Sequence, residues 1–126
     1  DSSIVFLQVE GNLFFAAADD LQDRFNQMLA ERDVAVVILR LKRTHLVDAT
    51  IMHVIEQFAH QMQEENRHVI LCGLRQRMYD RMQAYDLIDA LGEDNVFVSG
   101  GEPFRSAKQA VERARDLVRP SLDVDP

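Results

Sequence analysis

His45, Asp48 and Thr50 stand within one short stretch, between an apolar run and an amphipathic one. An imidazole, a carboxylate and a hydroxyl are the parts of a general base and a nucleophile. Catalysis asks for more. The five glycines, at positions 11, 73, 92, 100 and 101, form neither a phosphate-cradling loop nor a nucleophile elbow. Asp48 instead stands directly ahead of an apolar-periodic segment, where a carboxylate caps a helix and contributes about 1 kcal/mol. The same helix end favours added negative charge, phosphate included.

His53, Glu56 and His60 follow at three- and four-residue steps, which puts a set of potential zinc ligands on one helical face. That face lies opposite Ile51, Ile55, Phe58 and Met62, so it points to water and is an ordinary solvated face. Arg40, Lys42 and Arg43 end one apolar run, and Arg75 and Arg77 follow the next. In a parallel sheet both groups come to the carboxyl ends of the strands, where open α/β folds bind ligands. They form a basic rim suited to an anion, a phosphate or an acidic partner, and ordinary surface charge is the competing explanation. Cys72 ends the apolar run Val69–Cys72 and fits a small core residue better than a nucleophile.

The elements that must hold these residues follow from periodicity. Ile4–Glu10 alternates as a strand, Gly11-Asn12 turns, and Leu13–Phe15 pairs back as an antiparallel edge. Leu21, Phe25, Met28 and Leu29 predict a helix near Ala18–Arg32. Val34–Leu41 is apolar apart from Arg40, as a strand buried on both faces requires. A second helix is expected near Ala49–Glu65, and His68–Cys72 makes another buried strand closed by Gly73. Leu74, Met78, Met82 and Tyr85 predict a third helix, and Gly92 closes a short apolar segment. Val96–Val98 is a brief strand. Phe104, Ala107, Val111, Ala114 and Val118 form the stripe of a last helix, stopped by Pro120. Strands alternating with helices give an α/β sandwich with a largely parallel sheet.

Composition sets the outer bounds. The chain has 126 residues, the size of one domain, with residues 1–119 expected to fold and 120–126 to form a tail. A net charge of −7 and the lack of Trp argue against nucleic-acid binding. A single cysteine excludes an internal disulfide and a cysteine-built zinc cage. No apolar run approaches the roughly 18 residues of a membrane span, so direct membrane insertion is not expected. The chain opens on Asp rather than Met, as an excised piece of a longer protein would.

Three segments carry a family resemblance. Val5–Asp20, VFLQVEGNLFFAAADD, leads a strand through Gly-x-Leu-Phe-Phe-Ala into an acidic helix start. Val37–Thr50 ends in Asp-Ala-Thr at the second helix, and Leu87–Phe97 reads LIDALGEDNVF. In this order and spacing they resemble the STAS domain, over about Ile4 to Val118, and in particular its branch in SulP-type anion transporters. The family also holds the anti-sigma factor antagonists. Their second-helix motif is Asp-Ser-Ser-Gly, with the second hydroxyl residue phosphorylated by a partner kinase. Thr50 takes that place here, while Ala49 replaces the first Ser and Ile51 the Gly. Ala17 stands where transporter-type domains often carry Asn.

The resemblance implies a STAS-like (SpoIIAA-like) α/β sandwich with an N-terminal antiparallel edge and about four helices. It implies a non-catalytic regulatory module at the cytoplasmic face of a bacterial plasma membrane. The expected partners are the transmembrane domain of a parent transporter, a second copy, or a soluble regulatory protein. The transporter would carry sulfate, bicarbonate or a dicarboxylate. The alternative is a stand-alone signalling protein switched by phosphorylation on Thr50. Asp48, Thr50, Arg40, Lys42, Arg43 and Arg75 are the candidate interaction or anion-binding residues. No resident cofactor is expected, and weak nucleotide binding at the basic rim is the one small-molecule use the family suggests.

Overall fold

The computed structural model describes residues 3–10, 18–42, 47–102 and 104–119, with the backbone alone at residues 10 and 42. Four strands, β1 (Ile4–Glu10), β2 (Val36–Lys42), β3 (His68–Leu74) and β4 (Val96–Val98), form one sheet in the order β1-β2-β3-β4. Every described pairing is parallel, with Ile4 opposite Val36 and Val36 opposite His68. The expected antiparallel edge, Gly11–Phe15, lies outside the described residues.

A parallel sheet in sequential order needs a crossover between each pair of strands. Because crossovers are right-handed, these connections stack on one face. Helices α1 (Ala18–Ala30), α2 (Ala49–Glu64), α3 (Gln76–Ala84) and α4 (Leu87–Leu91) fill that layer. Helix α5 (Arg105–Val118) follows β4 and packs on the other face, against β2, β3 and β4. The short apolar segment before Gly92 is thus a helix in its own right, which makes five α-helices among the described residues.

Strand alternation divides the core accordingly. Val37, Leu39 and Leu41 join the cluster under α1–α4, where Phe25 and Phe58 stack with centroids 4.0 Å apart. Val36 and Ile38 join Ile70, Cys72, Ala110 and Ala114 under α5. Arg40 is the next residue in that second row, and it carries the row out of the core to the carboxyl edge of the sheet.

Several boundaries differ from expectation. Strand β3 does not close at Gly73 but runs through it, with a bulge between Cys72 and Leu74. Gly73 sits at φ +77, a left-handed conformation in which a side chain would be strained. The inserted residue turns Leu74 from the α5 face to the α1–α4 face, so Leu74 is a strand residue rather than the start of the third helix. Tyr85 caps the end of α3 and is 51% exposed. In α5 the buried residues are Ser106, Ala110 and Ala114, so the helix is rotated from the expected stripe. Phe104 precedes the helix, 59% exposed. Small side chains let α5 settle close to the sheet, while the larger Val111 and Val118 pack along the flank.

Candidate functional site

All helices that follow a strand begin at the same edge of a parallel sheet, so this edge gathers their N-termini. Two sites are built there, one on each side of the sheet.

On the α2 side, Asp48 has an extended backbone and its Oδ1 accepts the Ile51 N–H at 3.0 Å. This is the predicted cap. Thr50 follows in the first turn and is exposed, with Ile51 fully buried behind it. Beside them is a small cleft of about 190 Å³ lined by Ala49, Met52, His53, Glu56, Tyr85 and Leu87. His53 Nδ1 lies 3.9 Å from Glu56 Oε1, a partly exposed pair on the solvated face. His60 is exposed, and among the described residues no group of three His, Cys, Asp or Glu side chains is placed to hold a metal. His45 lies outside the described residues.

On the α5 side, Arg40, near the carboxyl end of β2, and Arg75, directly after β3, share one cleft. They line a cleft of about 310 Å³ with Arg105, Phe104, Glu102 and the Ser99–Gly101 turn. Arg40 Nη1 donates to Gln8 Oε1 at 3.0 Å, and its guanidinium carbon lies 5.0 Å from the centre of the Phe104 ring. The floor is closed by Ser106, whose Oγ accepts the Gly73 N–H at 3.0 Å. Beneath it, burial pushes the Cys72 thiol up to about 11, against a smaller opposing pull from Arg40. Cys72 is therefore a protonated core residue, as its sequence context predicts.

The structure thus brings Arg40 and Arg75 together and places Asp48 and Thr50 outside their cleft. Arg77 is exposed on α3 and does not line it. The Lys42 side chain and Arg43 lie outside the described residues. The residues missed from sequence are Phe104, Arg105 and Ser106. Their signal was the Ser99–Gly101 turn, which in a parallel sheet delivers the next helix start beside Arg40 and Arg75.

Comparison with known proteins agrees with this architecture. A family model described as the STAS domain matches residues 1–102. The chain belongs to the STAS domain family. A sulfate transporter family protein from Wolinella succinogenes is 28% identical, with a TM-score of 0.77 over 95% of this chain and 91% of that one. The SulP transporter STAS domain from Vibrio cholerae is 20% identical, with a TM-score of 0.68 over 92% of this chain and 85% of that one. The anti-sigma factor antagonist SpoIIAA in its unphosphorylated form is 14% identical, with a TM-score of 0.66 over 91% of this chain and 92% of that one. The last two likenesses bear on the fold alone. Comparison with curated protein sequences gives no match. Among the described residues, no helix of this STAS domain is long and apolar enough to cross a membrane.

Proposed function

We propose that this chain is the regulatory STAS domain of a SulP-type anion transporter, a non-catalytic module at the cytoplasmic face of the membrane. The observation that carries this is the 28% identity to the Wolinella succinogenes sulfate transporter family protein, sustained across 95% of the chain. The site chemistry supports it. Asp48 is engaged as a helix cap, and the neighbouring cleft holds no nucleophile paired with a base. The first turn of α2, with exposed Thr50, His53 and Tyr85, is a contact surface for the membrane domain, a second copy or a soluble protein. The test is removal of this segment from the parent protein, followed by measurements of anion uptake, membrane targeting and assembly. A regulatory module changes at least one of the three; no change in any of them would defeat the proposal.

A second reading is favoured by the exposure of Thr50 at a helix N-terminus, in a fold shared with SpoIIAA, which is solved in unphosphorylated and phosphorylated forms. A phosphate there adds about 1.5–2 negative charges where the helix dipole stabilises them and a partner would feel them. Mass spectrometry after incubation with the cognate kinase decides it: an unmodified Thr50 in the presence of active kinase excludes this switch.

A further inference from the structure

We propose that the cleft between Arg40, Arg75 and Arg105 is a binding site for a small divalent oxyanion of the sulfate or phosphate class. The inference stands on the cleft and does not depend on what the domain is attached to.

The charge comes first. Three guanidinium groups and one carboxylate, Glu102, line the cleft, leaving two net positive charges on a chain whose overall charge is −7. No carboxylate within 4.0 Å neutralises Arg40, Arg75 or Arg105 among the described residues. Guanidinium forks match the oxygen spacing of a tetrahedral oxyanion, which can accept from two or three of them at once. The cleft also opens at the first turn of the 14-residue α5, whose dipole adds to the positive potential.

Preorganisation comes next. Arg40 is oriented by two contacts, a hydrogen bond to Gln8 and the Phe104 ring beside its guanidinium. Its stem crosses Gly73, where a Cβ would stand 3.3 Å from Arg40 Cγ, so the absence of a side chain there leaves room for this path. Phe104 has φ +65 and ψ +7, an unfavourable conformation for a non-glycine residue, and it exposes an aromatic ring to water. Among the described residues Phe104 belongs to neither core cluster, and its ring lies against Arg40. Strained, exposed residues of this kind cluster at ligand clamps. A volume of about 310 Å³ accepts the oxyanion with a short organic substituent or with part of its hydration shell.

The experiment is a titration of the 126-residue chain with sodium sulfate or sodium phosphate at constant ionic strength, with sodium chloride as reference, followed by backbone amide NMR. Saturable shifts at Gly73, Gly100, Gly101 and Arg105 that chloride does not reproduce are expected. Arg75→Ala and Arg105→Ala each weaken the dissociation constant about tenfold, the equivalent of one charge-assisted hydrogen bond. Arg105→Lys, which keeps the charge and loses the fork, falls between. Arg24→Ala, an exposed change on the opposite layer, titrates as wild type. Both arginines are exposed, so circular dichroism of the variants stays native. A parallel arm with glycerol 3-phosphate separates the sources: tighter binding than phosphate identifies a phosphate ester, equal or weaker binding a free oxyanion. Unsaturable shifts shared with chloride, or arginine variants that titrate as wild type, overturn the site. No transport is measured, so such a failure leaves the transporter assignment untouched.

Discussion

Ser106 Oγ accepts the Gly73 N–H at 3.0 Å, tying the first turn of α5 to the bulge that ends β3. Ser106 is 4% exposed and the bond is partly buried at the floor of the cleft. Ser106→Ala removes the acceptor of the partly buried Gly73 N–H and is expected to cost about 1 kcal/mol. Urea unfolding of the variant checks the magnitude. Ser106→Thr, which keeps the hydroxyl and adds a methyl group, tests whether the bond or the tight packing matters more.

Arg67 makes a larger prediction. It is 6% exposed, and its guanidinium donates to the backbone carbonyls of Met28, Leu29, Glu31 and Val34, with Glu65 Oε1 2.8 Å from Nη1. One side chain thereby satisfies the C-terminal carbonyls of α1 and the approach to β2. Arg67→Ala removes this donor from all four; Met28 and Glu31 keep backbone bonds from the Glu31 and Val34 N–H groups, Leu29 and Val34 lose the side-chain partner, and a loss of roughly 3 kcal/mol is expected. Arg67→Lys recovers little of it, because an ammonium cannot reach four carbonyls from one plane. Thermal denaturation of the pair distinguishes lost geometry from lost charge.

These two residues also mark where sequence reasoning stops. The apolar run around Val36–Leu41, the helical spacing of Ile51, Ile55, Phe58 and Met62, and Asp48 at its cap position are local signals, and the fold follows them. Arg67 follows Glu64, Glu65 and Asn66 and looks like one more surface charge; its burial depends on where α1 ends, thirty-odd positions away. The bulge at Gly73 is equally non-local, since alternation cannot tell which residue the neighbouring strand leaves unpaired. For α5, the expected stripe held Ala114 and the partly buried Ala107, Val111 and Val118, and it missed the buried Ser106 and Ala110. Arg40 and Arg75 were visible as a rim. Arg105 and Phe104 completed it only once the turn after β4 was folded back beside them.

His68 gives stability a pH dependence. Burial lowers its pKa below the ordinary 6.5, and the nearby Arg113 lowers it further. The unfolded chain then binds a proton more readily than the folded one. The stabilising contribution is fully present above pH 6.5 and is lost as pH falls through the lower, folded value. Urea midpoints measured between pH 7.5 and pH 5 should decline, and His68→Gln should flatten that part of the curve. An unchanged slope in the variant would assign the decline to the carboxylates instead.

Cys72 is expected to resist modification. With its thiol pushed up to about 11 and its side chain fully buried, both the thiolate and the access route are missing at pH 8. A thiol reagent such as 5,5′-dithiobis(2-nitrobenzoic acid) should react slowly with native protein and stoichiometrically in denaturant. Rapid labelling of native protein would mean that α5 lifts from the sheet, because Cys72 lies in the cluster beneath Ala110 and Ala114.

Asp48 and Thr50 separate architecture from contact at the other site. Asp48 Oδ1 holds the Ile51 N–H, so Asp48→Ala should cost about 1 kcal/mol, and Asp48→Asn, which still caps, should cost less. Thr50 is exposed, so Thr50→Ala should fall within about 0.5 kcal/mol of wild type. Any effect of Thr50→Ala on transport or partner binding then belongs to the surface rather than to folding. Thr50→Glu adds a carboxylate where the helix dipole favours it, which should leave the fold intact or slightly more stable. Measured side by side in the transporter proposed to carry this domain, Thr50→Ala and Thr50→Glu distinguish two uses of the helix end. Opposite effects on activity point to a charge-sensitive switch. Equal losses point to a packed interface that needs the threonine itself.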